Sequence, residues 1–283
     1  MLITHPVQLK SILNGRVIQS VSELEHIIKG VQQFRNSSGL AYFENYRGES
    51  RINYKLRPEL SRLISDPLKL QEAEGRILQA FHDEVVLIWP DLFEVSQFVT
   101  GQPEFELKWK EYFQSRHLGL KTRLLDWTAD WRMALLFAVN NALYFGQDGQ
   151  FWIFLCPREN RYNEPRQLEY LSRDPASIEG LNLINNPIYL DGSHFNKLAQ
   201  KRQARQQGKF SVQPFSQSII PINEQDIFSE YIIRLIIDGD SKQKIKAELI
   251  AGGLSLEWAL FEINPEMESV IDGINDRIIE SFR

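Results

Sequence analysis

The stretch Arg116-His-Leu-Gly-Leu-Lys-Thr-Arg-Leu-Leu-Asp-Trp-Thr-Ala-Asp-Trp-Arg-Met-Ala134 constrains the fold of this chain more than any other segment. It crowds Arg123, Asp126, Trp127 and Thr128 between a glycine break at Gly119 and an apolar helix. Charge beside bulky apolar side chains is costly to bury unless the charges find partners. The fold must therefore turn this segment into either a structural knot of ion pairs or the wall of a polar binding site. A second segment of the same kind lies upstream, where Tyr46, Arg47 and Gly48 close an aromatic run.

Periodicity supplies the elements around these two segments. Ser22 followed by Glu25 reads as a capping box, opening a helix with Leu24, Ile27, Ile28 and Val31 on one face and ending near Gly39. The aromatic run 40–46 reads as a strand with Arg47 and Gly48 at its end. A short helix is expected around Glu59 to Leu63. The spacing of Leu70, Ala73, Ile77, Leu78, Phe81 and Val85 predicts a helix over about 68–86, ended by Trp89-Pro90. Further helices are expected over 104–117, with Phe105, Trp109, Tyr112 and Phe113 inward, and over 130–144. An apolar strand covers 151–155. Later elements are a basic helix over 197–207 closed by Gly208, strands over 209–212 and 231–237, and a helix over 241–251 stopped by Gly252-Gly253. Strands and helices do not alternate regularly, which points to a single α+β domain.

Several function classes drop out. A net charge of -5 gives no global attraction to nucleic acid or membrane, although a local basic patch is compatible with it. The single cysteine, Cys156, excludes an internal disulfide and a cysteine zinc site, and its apolar run predicts a buried side chain. Five histidines show no metal-ligand spacing, so no metal site is expected. The opening residues lack the layout of a signal peptide, and no apolar run approaches the ~20 residues that span a bilayer. A cytoplasmic protein without membrane contact is expected. The motifs of serine hydrolases, P-loop proteins and dinucleotide dehydrogenases are absent from the sequence.

What remains is a set of candidates with two readings each. Arg47 suits an anion, since a guanidinium offers a planar fork of donors and Gly48 lets a backbone approach; it also suits an ordinary surface arginine beside a turn. Arg123 and Asp126 pair with each other under the tryptophans, or Arg123 and Thr128 touch a phosphate or ribose while Asp126 orients the arginine. Trp127 is a core residue or a base-stacking platform. Lys201, Arg202 and Arg205 form a solvated helix face, with Gln206 and Gln207 placed to reach into a cleft. His117, directly before the central motif, is the histidine that merits substitution.

These residues resemble a family. Tyr46-Arg47-Gly48-Glu49-Ser50 with Tyr54, Arg57, Pro58 and Arg62 is similar to the opening signature of the FRG domain, named for its Phe/Tyr-Arg-Gly motif. His117, Gly119, Thr122 to Thr128 and the run from Ala134 to Ala138 resemble that family's central stretch, and Arg205-Gln206-Gln207-Gly208 with Phe210 resembles its C-terminal block. The resemblance spans about 40–271, leaving 1–39 as an N-terminal helical extension and 272–283 as a tail. Two positions depart from the pattern, Glu49 and Arg116, where the family carries glutamine.

The order of the blocks also looks like the plan of ADP-ribosyltransferases. It implies an ADP-ribosyltransferase-like mixed sheet with helices and NAD as substrate, with Arg47, Thr128 and Gln207 as the catalytic positions. Tyr46, Gly48, His117, Arg123, Asp126, Trp127, Arg205 and Gln206 would contact the nucleotide. Arg47 and Arg123 would hold the phosphates, Trp127 or a nearby tyrosine would stack on the nicotinamide, and Gln207 would contact the ribose. The acceptor would be nucleic acid or protein, as in toxin or phage-defence effectors. An amide at the third block carries no charge, where such enzymes use a glutamate. The competing reading is a non-catalytic module that binds nucleic acid through the basic helix 197–207.

Overall fold

The computed structural model describes residues 5–37, 42–89, 103–157, 174–177, 182–185, 207–254 and 265–282. Among them, seven strands form one mixed sheet: β1 (Val17–Ile18), β2 (Tyr42–Glu49), β3 (Leu125–Thr128), β4 (Gly149–Pro157), β5 (Asn182–Asn185), β6 (Gly208–Val212) and β7 (Ile232–Ile237). Their order is β1-β7-β4-β2-β3-β6-β5, with β1 parallel to β7 and every other pair antiparallel. The expected α+β class holds.

Strand β4 anchors the sheet because both of its faces are buried. Phe151, Ile153 and Leu155 join a core with Ile233, Leu235 and Ile237 beneath helices α2 (Val21–Ser37) and α6 (Trp131–Val139). Alternate residues Trp152, Phe154 and Cys156 face a second cluster with Leu125, Trp127 and Phe228. This is the two-residue alternation of a central strand. A third cluster packs α4 (Pro67–Phe81) against the C-terminal helix Pro265–Glu280, through Ala73, Ile77, Ile274 and Ile278. The fourth seats Trp109, Tyr112 and Phe113 of α5 (Pro103–His117) on Phe210 and Val212 of β6.

Several boundaries differ from the sequence expectation. The N-terminal extension is not purely helical: it supplies edge strand β1, and α2 packs Leu24, Ile27, Ile28 and Val31 into the main core. The reciprocal cap of α2 lies two residues earlier than Ser22 and Glu25. The Glu23 amide donates to Ser20 Oγ (3.3 Å), and the Gln19 amide donates to Glu23 Oε2 (2.8 Å). Helix Pro265–Glu280 runs through the division expected at 271, with buried Met267 and Ile278 on either side of it in one cluster. The helix predicted over 130–144 ends at Val139, and a 3₁₀ turn Ala142–Tyr144 follows. Gly208 opens β6, and the residue before it, Gln207, is left-handed at φ 46°. The basic helix over 197–206, with Arg205 and Gln206, lies outside the described residues. Among the described residues no helix is long and apolar enough to cross a membrane.

Candidate functional site

The site begins with how β2 and β3 meet. They are bridged where Tyr46 stands opposite Thr128, whereas β2 pairs with β4 along eight positions from Tyr42 to Glu49. Arg47 and Gly48 therefore lie inside a strand and not at its end. Beyond the bridge, the Arg47 side chain joins the strands: its Nη1 donates to the carbonyl oxygen of Asp126 at 2.6 Å. Gly48 is required by packing. A Cβ built there would lie 1.7 Å from the Ala134 carbonyl oxygen of α6, so the expected backbone approach at Gly48 is made by a helix. Gly119, at φ +107°, ends α5 and turns the chain toward β3.

A cleft of about 520 Å³ opens at this junction. Its wall is contributed by β2 (Tyr46 to Glu49, then Ser50), by Arg116 to Gly119 at the end of α5, by Asp126 to Thr128 of β3 and by Gly208 to Phe210 of β6. Glu59, Phe137 of α6 and Glu268 and Asp272 of the C-terminal helix complete it. Parts of the first two sequence blocks and Gly208 and Phe210 of the third, far apart in the chain, converge here.

Ion pairs order the floor. Arg47 donates through Nε (2.9 Å) and Nη2 (2.7 Å) to Glu49 Oε1, and Arg62 Nη2 donates to the same oxygen at 2.9 Å. Residues two apart on a strand share a face, which is why Arg47 meets Glu49. Arg116 grips Asp126 Oδ2 through Nη2 (2.7 Å) and Nε (3.0 Å) and reaches Glu59 at 3.4 Å. Burial opposes ionisation of Asp126, but Arg116 and then Arg47 outweigh it and hold the carboxyl down at about 2. Its side chain is still 40% exposed, so a carboxylate that is ionised at neutral pH faces the cleft. Burial likewise opposes ionisation of Glu49, and Arg47 and Arg62 keep it below the usual carboxylate range. The lining carries three basic side chains, Arg47, Arg116 and Lys209, against five carboxylates.

The other sequence candidates sort by where their side chains go. Arg123 is a correction: its side chain is fully buried outside the cleft lining and paired through Nε with Glu74 at 2.8 Å. The expected pairing of Arg123 with Asp126 is thus replaced by a buried pair of Arg123 with Glu74. Trp127 is also a core residue, with Nε1 donating to Ser211 Oγ (2.8 Å) and its ring 5.4 Å from that of Phe154. Tyr46 is buried against Phe151, and burial together with Glu44 pushes its hydroxyl far up. Neither ring is placed to stack on a ligand, although both residues contribute to the wall.

Thr128 Oγ1 accepts the Asp130 amide (2.9 Å), and Asp130 Oδ1 caps α6 by accepting the Arg132 amide (2.9 Å). The hydroxyl thus shapes the turn into α6 beside the cleft. Gln207 is exposed, one residue before Gly208 in the wall, and its carbonyl accepts the Ala129 amide (3.1 Å). His117 lines the cleft edge-on to Phe210, with ring centroids 5.0 Å apart. The sequence patterns do not mark Glu59, Lys209, Glu268 or Asp272. The pair Glu268 and Asp272, four apart on an amphipathic helix, is the one signal that would have singled out two of them. Among the described residues, no group of three histidine, cysteine or carboxylate side chains is arranged to hold a metal ion.

Residues 44–147, which hold the first two blocks and much of the cleft, match the model of the FRG domain. No curated protein and no solved structure matches the chain.

Proposed function

The chain carries an FRG domain over residues 44–147, and on that footing we propose that its cleft binds NAD or a related nucleotide and acts as an ADP-ribosyltransferase-like centre. The observation that carries this reading is the convergence of Arg47, His117, Asp126, Thr128 and Gly208 on one cleft. Its volume of about 520 Å³ falls within the range of small-molecule sites.

Cleavage of NAD breaks the bond from ribose C1′ to the nicotinamide nitrogen. The bond electrons leave with the ring, which becomes neutral, and positive charge develops on the ribose. A nucleophile then bonds to C1′ and releases its proton. A preorganised negative charge beside C1′ is what this transition state needs. Asp126 supplies it: two guanidiniums keep it ionised and Arg116 fixes its position. The aspartate thereby takes the electrostatic part that Gln207 cannot fill. Arg47 acts as a positioning residue, tying Asp126 to β2. Lys209 is the cation of the β6 wall suited to the pyrophosphate.

Release of nicotinamide from NAD tests the reading without knowledge of the acceptor, because water serves as nucleophile. The wild type is expected to release it, and Asp126→Asn to do so roughly 10²–10³-fold more slowly with its fold retained. A folded wild type that releases none above the uncatalysed background would overturn the catalytic reading.

A further inference from the structure

Glu49 stands out within the cleft. One of its oxygens, Oε1, takes three N–H contacts from two guanidiniums, Arg47 Nε and Nη2 and Arg62 Nη2, all at 2.7 to 2.9 Å. Its side chain is 9% exposed, and those of Arg47 and Arg62 are 14% and 19% exposed. Two guanidiniums aimed at one oxygen, Arg47 through a two-nitrogen fork and Arg62 through Nη2 alone, form the kind of arrangement that proteins use to seize a carboxylate or phosphate oxyanion. Burial and the neighbouring Arg47 disfavour the charge of Arg62, and the Glu49 carboxylate opposes them. In this chain the protein provides that anion itself, on the cleft wall.

We infer that Glu49 is the cleft's built-in anion: it fills the seat that Arg47 and Arg62 would offer to a phosphate oxygen, and so closes that seat to the phosphate groups of a ligand. This rests on the nucleotide reading above and narrows it. A dinucleotide's pyrophosphate then meets Lys209 on the β6 wall rather than the arginine pair, and the surplus of carboxylates over basic groups in the lining acts against free polyanions. Free phosphates and nucleic-acid backbones are poor ligands of this site.

The test is calorimetric titration of inorganic pyrophosphate into the wild type and into Glu49→Gln, which keeps the shape and an accepting oxygen but removes the charge. The variant is expected to bind pyrophosphate about tenfold tighter or more, the scale of one charge-assisted hydrogen-bond partner regained. A folded Glu49→Gln with unchanged or weaker affinity overturns the inference, because a purely structural Glu49 lowers the melting temperature without creating an anion site. Should that variant not fold, the comparison moves to Glu49→Gln combined with Arg62→Gln against Arg62→Gln alone, where Arg47 is the remaining fork. A gain there supports the inference and no gain overturns it. Titration of NAD into the wild type separates the two claims. NAD binding without a pyrophosphate gain in the variants removes the role of Glu49 alone, and a pyrophosphate gain without NAD binding removes the nucleotide reading alone.

Discussion

Replacing Arg123 with methionine separates a structural knot from a ligand contact. Arg123 is completely buried, and Glu74, its partner, is almost so. Glu74 Oε2 accepts from Arg123 Nε at 2.8 Å, and Oε1 accepts from the Arg123 amide and from the Tyr112 hydroxyl, each at 2.7 Å. The Arg123 guanidinium also donates to the Gln213 carbonyl (2.6 Å) and to that of Pro175, and lies 3.8 Å over the Phe215 ring. Methionine fills similar volume but leaves the Glu74 charge without its cation and two carbonyls without their donor. Removing one partner of such a pair costs about 3–5 kcal/mol. For a chain of this size that is a fall of roughly 5–8 °C in melting temperature. Differential scanning calorimetry measures it. Combining Arg123→Met with Glu74→Leu removes the stranded charge and is expected to recover about half of the loss or more. An Arg123→Met protein that melts within about 2 °C of wild type while losing nucleotide binding would refute the reasoning and return Arg123 to the site.

Two further outcomes follow from the geometry. Gly48→Ala drives a methyl group to 1.7 Å from the Ala134 carbonyl oxygen and 2.8 Å from the Ala138 amide nitrogen. Backbone cannot yield cheaply, so the loss is expected at or beyond the upper end of overpacking, about 3 kcal/mol; a thermal melt within a degree or two of wild type would contradict the close packing of β2 on α6. Asp126 has a folded pKa of about 2 against an ordinary 3.8. Its pairing therefore stabilises the fold above the ordinary value, and this contribution is lost as pH falls from about 4 through 2. With a side chain 40% exposed, screening reduces it to about 1 kcal/mol. Melting temperatures are expected to fall more steeply over that window for wild type than for Asp126→Asn, and parallel curves would count against the pairing.

Much of this was legible in the residue order because hydrophobic periodicity reports which face of an element is buried. The inward residues of α2, α4 and α5 and the strand character of β4 and β7 follow from spacing alone. The Arg-Gly and Asp-Trp-Thr segments were legible as a polar junction because charge beside aromatic residues needs an explanation. Partners were not legible. Arg123 and Asp126, three apart, read as a pair, yet Arg123 sits in the bend before β3 and Asp126 within the strand, and each finds its counter-ion elsewhere. Glu74 lies 49 residues before Arg123, and Arg116 ten residues before Asp126. Gly48 read as room for a ligand because a missing side chain looks the same in sequence whether a helix or a phosphate approaches. Trp127 was ambiguous for a similar reason: its indole N–H finds Ser211 across the strand pair, which no local pattern announces.

The central claim is that the cleft between β2 and β3 is a nucleotide site, and the most direct measurement is calorimetric titration of NAD into the intact chain. Saturable binding with one site per chain is expected, weakened in Lys209→Glu, where the charge of the β6 wall is reversed. A well-folded wild type that gives no binding heat and no thermal stabilisation by NAD would contradict it, and would leave the arginine–carboxylate network of the cleft as a structural device alone.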